Sequence, residues 1–190
     1  MAWKKSAARK IYTESMLYEY AVGALGRRMR TVAELKRLMR TRAGHQPDCD
    51  ALVEAVTARL KEQRYLNDTS YATSYSAYRR DTEKFGRLRV VQDLKAKGVH
   101  PDVIHKAIGE TYSEVDEQKL ARQFTERKRL RQPKDQKEAT RIFRMMARAG
   151  FSTQVIVKLL RHWNVEDEML SALEQEREMA EQAPSVEDES

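Results

Sequence analysis

Few side chains in this sequence have the type and spacing needed for covalent or metal chemistry. Cys49 is the only cysteine, and it stands between Asp48 and Asp50. Neighbouring carboxylates disfavour a thiolate, so an activated nucleophile is not expected there. His100 and His105 are five residues apart, which does not place both on one helical face as a zinc pair requires.

Other signatures of catalysis are missing as well. The seven glycines form neither the dinucleotide nor the phosphate-loop pattern. Glu114, Asp116 and Glu117 resemble first-turn charges that favour a helix dipole, not an acid and base pair. We therefore predict no enzymatic activity, no catalytic residue, no metal site and no cofactor.

Charge is distributed very unevenly along the chain. Lys and Arg exceed Asp and Glu by 16 over residues 1–163, whereas residues 164–190 carry a net charge of −9. A body this basic attracts polyanions, of which nucleic acid is the leading candidate. The alternative is a solvated helical surface with surplus basic residues, and charge alone does not separate the two.

The basic residues gather in three stretches of the chain. Arg can hold a phosphate through two hydrogen bonds, whereas Lys acts as a point charge. If equivalent stretches line one face, they would form an extended positive groove. The candidate filament or DNA contacts are Arg27, Arg28, Arg30, Lys36, Arg37, Arg79, Arg80, Lys84, Arg87, Arg89, Lys95, Lys97, Arg127, Lys128, Arg129 and Arg131.

A glycine followed by a short apolar helix recurs along the chain. Residues 98–108 align without gaps to residues 150–160, and a fainter copy surrounds Gly44. A period of about 50 residues is typical of tandem modules. Apolar residues recur at helical spacing, Gly and Pro are scarce, and no strand is expected.

These patterns predict an all-α fold of three tandem three-helix modules. Thr31 and Glu34 form a predicted capping box. Gly44, Gly98 and Gly150 are expected to end second helices so that each third helix can turn back. The predicted divisions are a basic N-terminal extension at 1–12, modules at 13–66, 67–112 and 113–165, and an acidic, partly disordered tail at 166–190.

The tail contains its own short helical pattern. Met169, Leu170 and Leu173 would lie on one face of a helix, whereas the last residues are too polar to order themselves. Our hypothesis is that this acidic tail folds back on the basic body and competes with the binding partner.

Aromatic residues and one turn offer rival interpretations. Tyr65, Tyr71, Tyr75 and Tyr78 could stack on bases, but their periodicity favours a buried face. Residues 146–156 resemble a helix-turn-helix, in which Ser152, Thr153 and Gln154 would read base edges. The matching positions of the second module include Pro101 and Asp102, which favours a structural role for the repeat.

Three segments carry a resemblance to a known family. They are Arg30–Leu38 (RTVAELKRL), Tyr65–Ala72 (YLNDTSYA) and Lys84–Val99 (KFGRLRVVQDLKAKGV). These segments are similar to the R-S-x-x-E-L, Y-L-D-D-x-x-F-A and K-x-G-x-x-R-I-x-x-E-L-x-x-K-G-V patterns of the RecX family, modulators of the RecA recombinase. The resemblance extends over about residues 13–163. Departures are Gln63 and Arg64 where a Gly usually precedes the Tyr, Asp93 in place of Glu, and the long acidic tail after Trp163.

The resemblance implies a curved array of three three-helix modules in the groove of the RecA filament on single-stranded DNA. It implies inhibition of filament extension, RecA ATPase and strand exchange, and no catalytic residue. The expected partners are the RecA filament and single-stranded DNA, with double-stranded DNA as a further partner. Arg79, Arg87, Arg89, Lys95 and Lys97 are the leading contact candidates because they lie in or beside the best-matched segment.

The remaining expectations concern the state of the protein. A lone cysteine excludes an internal disulfide, and no apolar run approaches the length of a membrane helix. We expect a cytoplasmic protein without signal peptide or membrane contact, and a monomer in solution. The alternative function is an independent, helix-turn-helix-like DNA-binding protein.

Overall fold

A computed structural model describes residues 11–182, and side chains are described as far as Met179. Ten helices and no strand occur in this part of the chain, as the all-α prediction requires. Helices α1 to α9 follow one another as three tandem groups of three, and α10 comes after them. The helices are α1 Glu14–Arg27, α2 Val32–Ala43, α3 Cys49–Glu62, α4 Asp68–Asp81, α5 Arg87–Ala96, α6 Pro101–Tyr112, α7 Glu117–Arg127, α8 Gln136–Arg148, α9 Thr153–His162 and α10 Asp167–Gln182.

The chain divides into two compact units. The first unit comprises Met1–Ser74 and Leu94–Ala107, and the second comprises Tyr75–Asp93 and Ile108–Ser190. Each of α4, α5 and α6 therefore contributes one end to each unit. The module boundaries expected from the sequence stay a prediction. Most of the predicted N-terminal extension, residues 1–10, and the tail from residue 183 onward lie outside the described residues.

The core of the first unit lies among α1, α2 and α3. Leu17, Leu35, Met39 and Leu60 are fully buried there because their helical spacing brings them to one face of each helix. The start of α2 is closed by Thr31, whose hydroxyl accepts from the Glu34 N–H at 3.1 Å while the Glu34 carboxylate accepts from the Thr31 N–H at 3.3 Å. The predicted capping box is therefore confirmed.

The core of the second unit lies among α7, α8, α9 and α10. Phe124 and Phe151 meet edge to face with ring centroids 5.5 Å apart. Leu170 and Leu173 of α10 are buried in the same cluster. The helix predicted from these leucines thus forms part of the core, and it continues to Gln182.

A contact between two helix ends holds the first unit together. The Thr31 hydroxyl at the start of α2 donates to the carbonyl of Lys97, just after α5, at 2.7 Å. The next residue, Gly98, has φ +74°, and a Cβ built on it would lie 2.5 Å from the Cβ of Ala33. Glycine is required here for two reasons, a left-handed turn and a close approach.

The second unit repeats this contact with the next pair of helices. The Gly86 N–H at the start of α5 donates to the carbonyl of Ala149, just after α8, at 2.9 Å. A Cβ on Gly86 would lie 2.2 Å from the Gly150 carbonyl oxygen, and one on Gly150 would lie 2.2 Å from the Arg89 nitrogen. The donor is a side-chain hydroxyl in the first unit and a backbone N–H in the second, but in both a free carbonyl at one helix end accepts from the start of another helix, which also aligns the helix dipoles favourably.

Gly44 ends α2 as predicted and also has a positive φ, +70°. Unlike Gly98 and Gly150, it meets no atom of the described residues where a Cβ would stand. Its conformation serves the turn alone.

The glycine contacts predict an asymmetric response to alanine. Gly150→Ala forces a side chain against backbone at a φ of +90°, and should lower the free energy of unfolding by about 2 to 4 kcal/mol. Gly109→Ala is the matched control, because Gly109 lies inside α6 with nothing near its Cβ position. The control should raise stability by about 0.5 to 1 kcal/mol. Urea denaturation measures both, and equal effects would contradict the close-approach account.

Candidate functional site

Several of the predicted contact residues are engaged in ion pairs within the chain. The Lys36 ammonium lies 2.6 Å from a Glu54 carboxylate oxygen. The Arg127 guanidinium lies 3.0 Å from the Glu83 carboxylate. Arg80 binds Asp81 at 2.7 Å and also donates to the carbonyl of Thr111. Arg30 also bonds within the chain, since its Nε donates to the carbonyl of Ala24 at 3.4 Å.

Asp93 gathers two of the leading candidates in the second unit. Its carboxylate accepts from Arg79 at 2.6 Å, from Arg89 at 2.9 Å and from the Tyr75 hydroxyl at 3.0 Å. The Arg79 guanidinium also lies 4.4 Å from the centre of the Phe85 ring. Because Arg79 and Asp93 are largely buried, their charges satisfy each other and hold α4 to α5.

Lys97 plays the corresponding part in the first unit. Its ammonium lies 3.1 Å from the Glu34 carboxylate, next to the contact of Thr31 with the Lys97 carbonyl. Burial alone would raise the pKa of Glu34, but the hydrogen bonds from Lys97 and the Thr31 N–H outweigh it and lower that pKa. The carboxylate of Asp68 accepts from the Val32 N–H at 2.8 Å, and burial raises its pKa.

A different group of predicted contacts points to solvent. These residues are exposed, and none forms an ion pair with another described residue. The group consists of Arg27, Arg28, Arg37, Arg87, Lys95, Lys128, Arg129 and Arg131. Lys84 likewise has no ion pair among the described residues, but it is half-buried and adopts a φ of +58°. These residues keep cationic groups available for a partner.

The five leading candidates therefore differ in what they touch. Arg79, Arg89 and Lys97 hold internal carboxylates, whereas Arg87 and Lys95 are exposed at the two ends of α5. Arg79, Arg87 and Arg89 belong to the second unit, and Lys95 and Lys97 belong to the first. That any of them contacts a partner stays a prediction.

Sequence reasoning missed the carboxylates that neutralise these cations. Asp93 follows Arg89 by four residues, a spacing that predicts an ion pair on one helix face, so this partner could have been found. Glu34 could not, because it is 63 residues from Lys97 and only the folded chain brings them together.

The tyrosine row is only partly buried, so the expectation of one buried face is wrong. Tyr71 is buried and Tyr75 half-buried, but Tyr65 is 60% and Tyr78 54% exposed. The buried face of α4 is centred on Ala72 and Ser76. Tyr78 lies roughly 140° around the helix from the centre of that face, at about 3.6 residues per turn.

In the turn that resembles a helix-turn-helix, the first of the three residues expected to read bases, Ser152, is engaged within the chain. Glu117 accepts from the Ser152 N–H at 2.9 Å and from its hydroxyl at 3.1 Å. Thr153 is half-buried, and only Gln154 is exposed. The arrangement uses Ser152 to join α7 to α9, so the helix-turn-helix alternative is not favoured.

Two further observations concern the described part of the chain. Within residues 11–182, His, Cys, Asp and Glu side chains form no group of three that could hold a metal ion. In the same range, no helix is long and apolar enough to cross a membrane.

The fold defines a class, that of modular all-α proteins built from tandem three-helix modules, here with exposed cations in both units. Residues 67–108, which span α4, α5 and most of α6, match the family model for the second three-helix domain of RecX. Solved structures agree at the level of the fold. A crystal structure of RecX from Lactobacillus salivarius has a TM-score of 0.63 at 19% identity, covering 80% of this chain and 96% of that one. Another, of regulatory protein RecX, has a TM-score of 0.63 at 22% identity, covering 78% of this chain and 71% of that one.

Curated relatives extend the match along the sequence. Regulatory protein RecX of Ralstonia nicotianae is 31% identical over 143 residues, covering 74% of this chain and 84% of the relative. That of Myxococcus xanthus is 30% identical over 165 residues, covering 80% and 87%. That of Bacillus pumilus is 27% identical, and this chain spans only 54% of its length. The chain belongs to the RecX family.

The Glu34 and Lys97 pair predicts a pH-dependent contribution to stability. A carboxylate whose pKa is lowered by folding stabilises the fold above its ordinary pKa of 4.5, and that contribution is lost as pH falls through the folded value. Glu34→Gln should lower the free energy of unfolding at pH 7 by about 0.5 to 1 kcal/mol. The deficit relative to wild type should shrink below pH 4.5.

Glu54→Gln is the control for this measurement, because its pair with Lys36 is largely exposed on the carboxylate side. The control should change stability by only a few tenths of a kcal/mol. Chemical denaturation at several pH values measures both variants. A Glu34→Gln deficit that does not change between pH 7 and pH 3 would contradict the ion-pair account.

Proposed function

We propose that this protein regulates the RecA recombinase by binding the RecA filament on single-stranded DNA. It occupies the groove of the filament and inhibits filament extension, ATP hydrolysis and strand exchange. Through this binding it modulates recombination, DNA repair and the SOS response. The observation that carries the proposal is family membership, which rests on relatives named regulatory protein RecX that match over most of their length.

The charge distribution supports the same function. The nucleoprotein filament is a polyanion, and residues 1–163 carry a net charge of +16. Arg87 and Lys95 are the leading contacts because they are exposed, have no ion pair among the described residues and lie in the segment that best fits the family pattern. DNA and RecA are both proposed partners, with double-stranded DNA as a further one. We place the protein in the cytoplasm as a monomer.

The proposal predicts which cations matter for inhibition. RecA ATPase on single-stranded DNA is measured with this protein at substoichiometric concentration. Wild type should inhibit strongly. Arg87→Glu with Lys95→Glu should raise the half-inhibitory concentration roughly tenfold or more, because each reversed charge repels the filament.

The matched control is Lys137→Glu with Arg141→Glu on α8. Both residues are exposed and have no ion pair among the described residues, so the change in net charge is the same. The control should retain most of the inhibition. Equal losses in the two double variants would reject α5 as a specific contact, and no inhibition by wild type of its cognate RecA would reject the function.

The acidic tail predicts a second effect. Removing everything after Trp163 would test competition poorly, since Leu170 and Leu173 belong to the core. Glu168→Gln with Glu178→Gln changes only two exposed charges of α10. If the tail competes with the filament, this variant should bind it about two- to tenfold more tightly at low salt, with the gain fading at high salt. Filament binding followed by anisotropy at two salt concentrations measures the effect, and unchanged affinity at low salt would exclude autoinhibition.

A further inference from the structure

A groove in the second unit is lined by none of the predicted contact residues. It runs between α7 and α9 and has a volume of about 420 Å³. Two contacts fix the spacing of its walls: Glu117 binds Ser152, and the Gln118 amide donates to the Val155 carbonyl at 3.3 Å. Leu159, which is buried in the core, forms the floor. The groove is therefore built by well-ordered packing.

The rim of the groove is cationic. Arg122 on α7 and Lys158 and His162 on α9 line it, and all three are exposed. Within the described residues none of them forms an ion pair, in contrast to Arg79 and Lys97. Glu126 is the one carboxylate among the lining residues and leaves an excess of positive charge.

One end of the groove is aromatic. Trp163 is half-buried and lies at the C-terminal end of α9. Its backbone N–H donates to the Leu159 and Leu160 carbonyls. Its own carbonyl accepts from the Gln132 side chain at 2.8 Å. These bonds hold the backbone of Trp163 in place, and its half-buried side chain packs against the core and lines the groove together with Leu130.

We propose that this groove is a nucleotide subsite for single-stranded DNA, in which a base stacks on Trp163 and its phosphate binds Arg122 and Lys158. An aromatic face beside unpaired cations is the combination by which proteins hold single strands without reading their sequence. The volume suits a nucleotide, since ligand sites span about 300 to 1,000 Å³. An acidic peptide would satisfy the cations but would leave the indole and the apolar floor without a planar partner.

The subsite adds a contact site to the proposed function. It rests on that function in one respect, namely that the bound single strand is DNA. It assigns the third group of helices, α7 to α9, a direct contact with DNA. The five leading candidates of the sequence all lie outside those helices.

The experiment uses the full chain with the substitution Trp3→Phe. Because the sequence has two tryptophans, Trp163 is then the only one left. Its fluorescence is titrated with a 12-residue oligothymidylate, with thymidine monophosphate, with inorganic polyphosphate and with polyglutamate. Quenching that saturates with the oligonucleotide alone is the expected result. No quenching would overturn the proposal, equal quenching by polyphosphate or polyglutamate would show a site for charge only, and quenching by the mononucleotide alone would show a site for free nucleotide.

Charge reversal localises the phosphate contacts. Arg122→Glu with Lys158→Glu should weaken oligonucleotide binding at least tenfold and reduce the slope of log affinity against log salt by about 1.4, as expected for two contacts to a single strand. Lys137→Glu with Arg141→Glu is again the control of equal charge. Thermal unfolding verifies that both variants fold, and equal weakening in the two would overturn the site.

RecA ATPase measured on the same proteins separates the two proposals. Inhibition of the RecA ATPase without quenching of Trp163 fluorescence by the oligonucleotide would reject the subsite but not the proposed function. Quenching without inhibition would reject the proposed function and leave the subsite standing.

Discussion

Backbone meets backbone where Gly86 at the start of α5 packs against Gly150 at the end of α8. At the turn after α5, Gly98 packs against the Ala33 side chain, and the neighbouring Lys97 carbonyl accepts from the Thr31 hydroxyl at the start of α2. Both glycine positions leave no room for a Cβ, and in both a carbonyl at the end of one helix accepts a hydrogen bond from the start of another, from the Thr31 hydroxyl or from the Gly86 N–H. The contact at Gly86 holds the Arg87 end of α5 within the second unit, and the contact beside Gly98 holds the Lys95 end within the first. The placement of each cation within its unit thus depends on a glycine contact near it in the chain.

The same contacts divide the basic residues into two kinds. Lys97 is drawn into the fold by Glu34, and Arg79 by Asp93, so their charges stabilise helix junctions. Lys95 is only two residues from Lys97 but points to solvent. A basic cluster in a sequence therefore overstates the number of charges that a partner can use.

Local sequence patterns predicted the parts of this fold that depend on neighbouring residues. The Thr31 capping box, the helix at Leu170 and the glycine turns follow from spacing within a few residues. The pairing of Glu34 with Lys97 joins residues 63 positions apart, and the glycine contacts likewise join residues that are distant in the sequence. Trp163 packs partly against the core of the second unit and also lines the groove between α7 and α9. These features depend on packing between residues that are distant in the sequence, and such contacts are not visible in the local patterns of a single sequence.

Lysine reactivity tests the central claim most directly, since Lys95 and Lys97 can be compared in one peptide. The protein is acetylated briefly, alone and on RecA filaments, and each lysine is quantified by mass spectrometry. In the free protein, Lys95 should react quickly and Lys97 slowly. On the filament, Lys95 should become protected while Lys97 stays unchanged. Rapid reaction of Lys97 in the free protein, or filament binding that leaves Lys95 fully reactive, would contradict the account.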